Sequence, residues 1–508
     1  MKYERIRGAR RNALWGLMEK LLTLALPFLA RTVLINTLGL AYGGLGGLFS
    51  SILQLLSLGE LGLSSAVIFS LYKPLAENGD GAVCALMNFY RRAYRFIGLG
   101  MLGAGLLAAP FLRLLIRADV PPGLHIGAVY TAYLANACVG FFVFPECRAL
   151  LSAAHRRDVI SKSALAARTL CCLMQLAALL LARSYALYIV MLPLSSLADG
   201  LICAFCARRA YPRFRCRGSI TAEKKRDIAE KIKGLFIHRV CGSTRNALDS
   251  IFISAFLGLS AVGIYGNYYY ILYAVRGLLD AVTQGMSAGV GNSVAVESAE
   301  KNRQDLMNFT FLYQWLCGFC TVCLLVLYQP FMRLWMGESR MFGGEAALAF
   351  CVYFYVWTMG DIKSQYADAR GIWWKDRWRT LTEALCNVAL NWALVRSCGV
   401  VGVILATAVS ILLVGFPWSA RILFKDYFGL RHLPGYFGAQ LQFALVTAAA
   451  CCLTWRLSVL LPREGLMGLA SNMLLCLAAP NLVYLLCYWK TPYFRRALPL
   501  IRSVVRGR

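Results

Sequence analysis

Long apolar blocks, each of roughly twenty residues or more, recur along the whole chain and constrain its fold more than any other feature. The hydrocarbon core of a bilayer is about 30 Å thick, and an α-helix needs about 20 residues to cross it. Inside hydrocarbon every backbone N–H and C=O group must find its partner within the protein, which leaves helices and closed barrels as spanning structures. Hydrophobic residues make up 59% of the 508 residues, and the mean hydropathy is +0.58. The chain is therefore predicted to be an all-α integral membrane protein rather than a soluble one.

The blocks predict fourteen transmembrane helices. Glycines and prolines inside some blocks do not argue against spans, because neighbouring helices in a bundle satisfy the backbone groups that such residues release. The predicted spans are 13–36, 45–72, 93–117, 125–152, 163–182, 184–207, 234–258, 262–292, 308–335, 342–370, 378–395, 399–423, 436–460 and 465–488.

Basic residues set the predicted orientation. The formal net charge is +28, from 53 basic and 25 acidic residues, and in a soluble protein this excess would suggest nucleic-acid binding. Here the basic residues concentrate in alternate loops, above all in "RRAYPRFRCRGSITAEKKRDIAEKIKG", residues 208–234. The positive-inside rule then predicts a multi-pass protein with both termini in the cytoplasm and no nucleic-acid partner.

Residues that often signal metal or enzyme chemistry form no such pattern here. Most of the 19 cysteines lie inside predicted spans, where a thiol behaves as a small hydrophobic group. The four histidines have no ligand spacing, and the chain carries no P-loop, GxSxG or HExxH sequence. The sequence therefore predicts neither metal nor cofactor, and no enzymatic activity.

One short phrase occurs twice. "LGLAYGGLGGLFSSIL", residues 38–53, aligns with "LGLSAVGIYGNYYYIL", residues 257–272, at seven identical positions, among them Gly39 with Gly258 and Gly44 with Gly263. Both copies straddle an external turn, and the six helices between them preserve the orientation of the chain. The two halves are thus predicted to be parallel repeats, although a chance likeness of two Gly-rich turns is the alternative.

The repeat predicts two six-helix lobes that face a central cavity, an arrangement that transporters use for alternating access. The predicted domains are an N-lobe of helices 1–6 at 1–208, a basic cytoplasmic linker at 209–233, a C-lobe of helices 7–12 at 234–431, and two further helices with a basic tail at 432–508.

Two stretches carry a family resemblance. "RTVLINTLGLAYGGLGGLFSSILQLLSLGELGLSSAVIFSLYKPLAENG", residues 31–79, resembles the opening of Firmicutes polysaccharide-biosynthesis membrane proteins. These are Wzx-type flippases of the multidrug/oligosaccharidyl-lipid/polysaccharide (MOP) exporter superfamily, whose fold is MATE-like. "GIWWKDRWRTLTEALCNVALNWALVRSCGVVGVILATAVS", residues 371–410, resembles the eleventh and twelfth helices of that family and the loop before them.

The resemblance implies a function that composition and spacing alone do not indicate. It implies a flippase that moves an undecaprenyl-diphosphate-linked oligosaccharide across the bacterial cytoplasmic membrane for surface polysaccharide biosynthesis. The implied partners are this lipid-linked cargo, membrane lipids, and a polysaccharide polymerase or glycosyltransferase.

An anionic diphosphate cargo calls for cations near the middle of the membrane. Charged residues inside spans are costly and usually face a cavity or a partner, and a guanidinium binds two phosphate oxygens at once. The candidate substrate-binding residues are Arg31, Arg245 and Arg276.

Each arginine also has a purely structural interpretation. Arg245 and Arg276 lie four residues before Asp249 and Asp280, so each arginine can pair with a carboxylate on its own helix. Arg31 can instead reach the outer head groups. Both interpretations stay open for all three arginines.

Acidic residues inside the spans are candidates for ion coupling or for ion pairs. Glu60, Asp199 and Asp361 are candidates for binding a coupling cation or proton, and Asp249 and Asp280 are the ion-pair candidates. Glu60 follows "SLG", where it can also cap a helix break or pair with an inter-lobe partner.

Two other functional classes remain alternatives. A drug or cation antiporter would share the fold but favour carboxylates over arginines in its cavity. A membrane glycosyltransferase or polymerase would need a catalytic residue on a substantial external loop, and the predicted external loops are short.

Overall fold

A computed structural model describes residues 2–60, 63–77, 79–116, 121, 123–462 and 465–496, although within helices some side chains, notably in 2–14 and 229–239, are not described. The described residues form helices and connections without a β-strand. The helices are α1 Lys2–Thr37, α2 Leu40–Leu56, α3 Leu63–Ala76, α4 Asp80–Ala108, α5 Leu112–Leu115, α6 Ile126–Phe142, α7 Pro145–Ala153, α8 Arg157–Leu180, α9 Tyr185–Ala210, α10 Ala222–Leu257, α11 Leu259–Val296, α12 Ala299–Met336, α13 Gly344–Thr358, α14 Asp361–Arg370, α15 Trp373–Ser410, α16 Phe416–Leu423, α17 Leu433–Ser458 and α18 Gly465–Tyr488.

The predicted all-α membrane class is confirmed. Each of the fourteen predicted spans falls on a helix or on a broken pair of helices. By length and composition, seven helices of the described residues can cross a membrane, or up to eight if the bent pair α6 and α7 forms one span. The chain is therefore a multi-pass membrane protein, and the count of fourteen stays a prediction.

The chain forms two compact units, Met1–Gly263 and Ile264–Arg508. In this division α10 groups with the first unit, and the predicted lobe boundaries stay a prediction. In that unit α10 lies against α2 and α3, and the Ser254 hydroxyl donates to the Leu115 carbonyl at 2.8 Å. Because α10 begins at Ala222, the last twelve residues of the predicted linker, 222–233, are helical.

Aromatic side chains fill much of the core of the first unit. Phe49 of α2 packs edge to face on Tyr130 of α6, with ring centroids 5.4 Å apart. Tyr130 is fully buried, and its hydroxyl donates to the Gly105 carbonyl of α4 at 3.0 Å. Burial of the phenol with a satisfied hydroxyl fixes the positions of α2, α4 and α6.

The repeated phrase forms two turns of the same backbone shape. Gly39 has φ 109° and ψ 171°, and Gly258 has φ 89° and ψ 172°. Positive φ with extended ψ strains any residue with a Cβ atom, so glycine is required at both turns.

The two copies also pack against each other, within the first unit. A Cβ atom added at Gly44 would lie 1.9 Å from the Leu259 carbonyl oxygen, and one added at Gly263 would lie 2.6 Å from the Leu40 carbonyl oxygen. Leu40 and Leu259 are themselves equivalent in the repeat, so the contact is reciprocal. Glycines at helix contacts allow backbones to approach this closely.

In the second unit, α12 packs against α17 and α18. Phe311, Phe443 and Tyr488 form its aromatic core, with the Phe311 and Tyr488 rings 5.2 Å apart. The Trp315 indole N–H donates to the Asn481 side chain at 2.8 Å. The part of the predicted C-lobe from Ile264 onward thus lies in one unit with the two C-terminal helices.

α15 is a helical hairpin rather than a single rod. Gly399 interrupts it with φ 57° and ψ −135°, and a Cβ atom at Gly402 would lie 2.2 Å from the Leu394 carbonyl oxygen. Asn387 on the first arm donates to Thr407 on the second arm at 3.0 Å. This turn separates the predicted spans 378–395 and 399–423.

Candidate binding site

Arg276 pairs with two carboxylates in the second unit. It lies midway along α11, and its Nε atom is 3.0 Å from Asp280 Oδ1, one helical turn on. Its Nη1 and Nη2 atoms donate to the two oxygens of Asp361 at 2.5 and 3.0 Å. Two carboxylates therefore neutralise one guanidinium, and the pairing with Asp361 is bidentate.

Aromatic residues complete this arrangement. The Arg276 guanidinium lies over the Trp357 ring, 4.8 Å from its centroid, and the Tyr313 hydroxyl donates to Asp361. Asp361 is the first residue of α14, where the positive end of the helix dipole favours a carboxylate. Only 11% of the Arg276 side chain and 16% of the Asp361 side chain are exposed. We call Arg276, Asp280, Asp361, Tyr313 and Trp357 the Arg276 cluster.

The second unit holds a further group of buried charges near the start of α15. Arg379 pairs with Asp376 and Glu383 on the same helix, at spacings of three and four residues. Lys363 of α14 is 4% exposed and donates to the Ser419 hydroxyl of α16. The Lys363 contact joins α14 to α16, whereas the Arg379 pairs lie within α15. The sequence patterns did not indicate either group.

Arg31 reaches the repeated turn. Its Nη2 atom donates to the Gly263 carbonyl at 2.9 Å, so the guanidinium contacts the second copy of the phrase from α1. The carbonyl is a neutral acceptor, and the arginine remains half-buried. This contact links α1 to the reciprocal glycine contact within the first unit.

Arg245 lies on α10, and its side chain falls outside the described residues. Its partner four residues on, Asp249, is described and is buried, with 2% exposure. The pairing predicted for these two residues accordingly stays a prediction.

Glu60 ends a short 3-10 helix, Ser57–Glu60, that interrupts the predicted span 45–72. The Tyr94 hydroxyl of α4 donates to Glu60 Oε1 at 2.6 Å. Tyr94 packs against Tyr90, and the Tyr90 hydroxyl donates to Ser64 at 3.1 Å. Glu60 thus lies at a helix break and is held by a phenol of its own unit.

Asp199 of α9 pairs with Arg148 of α7, an arginine that the sequence analysis did not identify. The Ser163 hydroxyl of α8 donates to Asp199 Oδ1 at 2.6 Å, and the Cys203 thiol lies 3.8 Å from the same oxygen. Arg148 is 47% exposed and Asp199 is 17% exposed. We call Arg148, Asp199, Ser163 and Cys203 the Arg148 cluster.

The structure brings together some of the predicted residues and separates others. Arg276, Asp280 and Asp361 meet in one cluster, while Asp199 and Glu60 have partners elsewhere in the first unit. Tyr313, Trp357 and Arg148 carried no sequence signal except their residue types inside or at the end of spans. An arginine four residues from the end of a predicted span is typical of a membrane boundary, which is why Arg148 was missed.

Comparison with known proteins bears on family and fold. The sequence profile of the family described as "Polysaccharide biosynthesis protein" matches residues 9–285. No curated protein has a significantly similar sequence.

The solved structures similar to this chain include a lipid II flippase and MATE family transporters. The lipid II flippase MurJ in an inward closed conformation is 13% identical, with a TM-score of 0.67 over 94% of this chain and 98% of its own. A multidrug resistance MATE family transporter of the MOP superfamily, in an inward-facing conformation, is 13% identical, with a TM-score of 0.63 over 81% of this chain and 98% of its own. A point mutant of the Vibrio cholerae MATE transporter VcmN is 14% identical, with a TM-score of 0.56 over 83% of this chain and 97% of its own. At these identities the likeness shows the fold, which is that of MOP-superfamily transporters.

Proposed function

The chain belongs to the polysaccharide biosynthesis protein family, and from that premise we propose that it translocates a polyprenyl-diphosphate-linked oligosaccharide across the cytoplasmic membrane by alternating access. The observation that carries the proposal is the family match together with a fold shared with a lipid II flippase. Arginines buried among helices add chemical support, because a guanidinium suits a diphosphate better than a cationic drug.

The orientation and partners form part of the same proposal. The concentration of basic residues in alternate loops supports cytoplasmic termini and a cargo loaded from the cytoplasmic face. A polysaccharide polymerase or glycosyltransferase is the proposed partner, since a translocated oligosaccharide must be made on one face and polymerised on the other. The lipid tail of the cargo would stay among membrane lipids.

Arg276 is the proposed diphosphate ligand of the second unit. All of its described donors go to Asp280 and Asp361, so a phosphate must displace at least one carboxylate to reach it. The carboxylates then keep the guanidinium oriented while the site is empty and compete with the cargo when it enters. Arg31 and Arg245 are proposed as further cationic contacts. Glu60, Asp199, Asp249, Asp280 and Asp361 are proposed as ion-pair partners or as sites for a coupling ion.

Reconstitution tests the transport function directly. The purified protein in liposomes is expected to move a fluorescent polyprenyl-diphosphate oligosaccharide to the opposite leaflet, measured by protection of the label from a membrane-impermeant quencher. It is expected to leave a cationic dye untransported. Dye transport without movement of the lipid-linked oligosaccharide would overturn the proposal and favour the antiporter alternative.

A charge-neutral variant tests Arg276 as ligand. Arg276→Gln combined with Asp280→Asn and Asp361→Asn removes the guanidinium without leaving a buried carboxylate unpaired. This triple variant is expected to fold and to flip the labelled cargo poorly. Near-normal flipping would eliminate Arg276 as an essential ligand, while leaving the proposed transport function intact.

A further inference from the structure

We propose that Arg148 binds the anionic diphosphate head group of the cargo in the first unit, with Asp199 as the counterion that the head group displaces. The identity of the cargo rests on the proposed function. The assignment of Arg148 goes beyond it and rests on the geometry of the Arg148 cluster.

A built-in bend sets the position of Arg148. The axes of α6 and α7 differ by 53°, and Phe144 between them has φ 49°, a left-handed conformation that is strained for a residue with a Cβ atom. Pro145 starts α7, and the Arg208 guanidinium lies 4.3 Å from the centroid of the Phe144 ring. The surrounding structure therefore holds the bend, and the bend turns the short helix that carries Arg148.

The Arg148 guanidinium pairs with a carboxylate far from either end of its helix. Asp199 lies eleven residues before the end of α9 at Ala210, which corresponds to about 16 Å of helix. Arginines near the ends of spans normally extend toward the head groups. Arg148 instead pairs with Asp199, which lies near the middle of α9 and is 17% exposed.

Arg148 is also open to a ligand. Nearly half of its side chain, 47%, is exposed, against 11% for Arg276. In the described hydrogen bonds, Nη2 is the atom that donates to Asp199, whereas a guanidinium has five N–H donors. A charged group this exposed inside a span would be costly in hydrocarbon, so its open face must meet water or an anion.

Asp199 has other contacts that hold it in place when Arg148 dissociates from it. Ser163 and Cys203 contact its Oδ1 atom, while Arg148 contacts Oδ2. The carboxylate therefore keeps its place when the guanidinium turns to another anion. A diphosphate carries more charge than one carboxylate and offers two oxygens to the guanidinium fork, so it competes effectively for Arg148.

Binding of farnesyl diphosphate to the full-length protein in detergent tests the assignment. Arg148→Gln is expected to weaken binding about tenfold to a hundredfold, the loss that one charge-assisted contact produces. Arg213→Gln is the matched control, because Arg213 is also half-exposed and pairs with an acid, Asp80, at 3.7 Å in the cytoplasmic linker. This control is expected to bind as the wild type does.

Competition separates the lipid head group from free phosphate. Inorganic pyrophosphate is expected to compete with farnesyl diphosphate in the wild type but much less in Arg148→Gln, while farnesol does not compete in either. Competition by pyrophosphate that is unchanged in Arg148→Gln would place the head-group site elsewhere and overturn the assignment.

The double variant Arg148→Gln with Asp199→Asn excludes a purely structural ion pair. If the pair only stabilises the unit, removal of both charges restores binding; if Arg148 is a ligand, binding stays weak although the protein folds. Asp199→Asn alone is expected to bind farnesyl diphosphate more tightly than the wild type, because the competing carboxylate is gone.

Failure of this inference is distinguishable from failure of the proposed function. A wild type that flips the lipid-linked oligosaccharide, beside an Arg148→Gln variant that binds farnesyl diphosphate equally well, overturns only the assignment of Arg148. A wild type that neither flips the oligosaccharide nor binds farnesyl diphosphate overturns both.

Discussion

The Arg276 cluster and the Arg148 cluster are both arginine–carboxylate pairs inside helices, yet they are built differently. Arg276 donates to two carboxylates and lies over Trp357, whereas Arg148 pairs with one carboxylate that a serine also holds. The saturated, buried pair resembles a structural tie that must open before it can bind cargo. The half-exposed pair resembles a site that can exchange one anion for another. A charged residue inside a span is therefore an incomplete guide to binding. We propose that the number of guanidinium donors already paired with carboxylates distinguishes a structural pair from a binding site.

The two clusters are expected to differ most in the stability lost when glutamine replaces the arginine. Arg276→Gln leaves the largely buried Asp361 and the partly exposed Asp280 without their cation, which is expected to lower the free energy of unfolding by about 3–5 kcal/mol. Arg148→Gln leaves a single carboxylate that Ser163 still contacts, so its cost is expected to be about 1 kcal/mol. Thermal unfolding of both variants in the same detergent measures the difference, and equal losses would break the comparison.

The stability lost in Arg276→Gln is expected to be recovered only when Asp361 is also neutralised. Arg276→Gln with Asp280→Asn leaves the bidentate partner Asp361 uncompensated, so this double variant is expected to recover little stability. Addition of Asp361→Asn is expected to recover most of it. Full recovery in the double variant would show that Asp361 has another adequate partner.

The stability losses of the two clusters are expected to differ less when lysine replaces each arginine. A lysine ammonium cannot reproduce the bidentate contact to Asp361 together with the contact to Asp280, and Arg276→Lys is expected to cost about 1.5–3 kcal/mol. At Arg148 a single contact is retained, so Arg148→Lys is expected to cost less than about 1 kcal/mol. Denaturation midpoints of the two variants check this order, and a larger loss for Arg148→Lys would contradict it.

The smallest expected effect comes from Asp199→Asn. The amide keeps the shape of the carboxylate and a hydrogen-bond acceptor for Ser163, and the half-exposed Arg148 stays solvated, so the loss is expected to be about 0–1 kcal/mol. Thermal unfolding beside Asp361→Asn measures it. A loss for Asp199→Asn as large as that for Asp361→Asn would remove the distinction between an exchangeable and a structural pair.

Local patterns in the sequence predicted part of this arrangement. The apolar blocks located the helices, because length and hydropathy decide spanning segments almost alone. The spacing of four residues predicted the contact between Arg276 and Asp280, which the structure contains at 3.0 Å. The stronger contact with Asp361 lies 85 residues away in the chain, and no local pattern encodes such a pairing.

The bend at Phe144 was another feature that the sequence patterns did not predict, although they did suggest a helix break at Glu60. Residues 125–152 were predicted to be one span, although Pro145, Glu146 and Arg148 lie in its last third. Pro145 permits a break at this point, but no local pattern shows that Phe144 has φ 49°. That angle depends on packing around the bend, and it is the bend that places Arg148 beside Asp199. In contrast, the turns at Gly39 and Gly258 lie where the repeated phrase was predicted to straddle a turn, and both glycines have positive φ.

The reciprocal glycine contact has a consequence for ancestry. Each copy of the repeated phrase supplies one glycine and one leucine to the contact. Gly44 packs against the Leu259 carbonyl, and Gly263 packs against the Leu40 carbonyl. A surface of this kind is self-complementary, as in a twofold homodimer, so two separate half-length chains could meet through the same atoms. Duplication and fusion of such a chain would preserve the contact without inventing a new one. In such a fused chain the two copies would be free to diverge at most positions. Gly44 and Gly263 would be the positions least able to change, because a Cβ atom at either would clash with a backbone carbonyl.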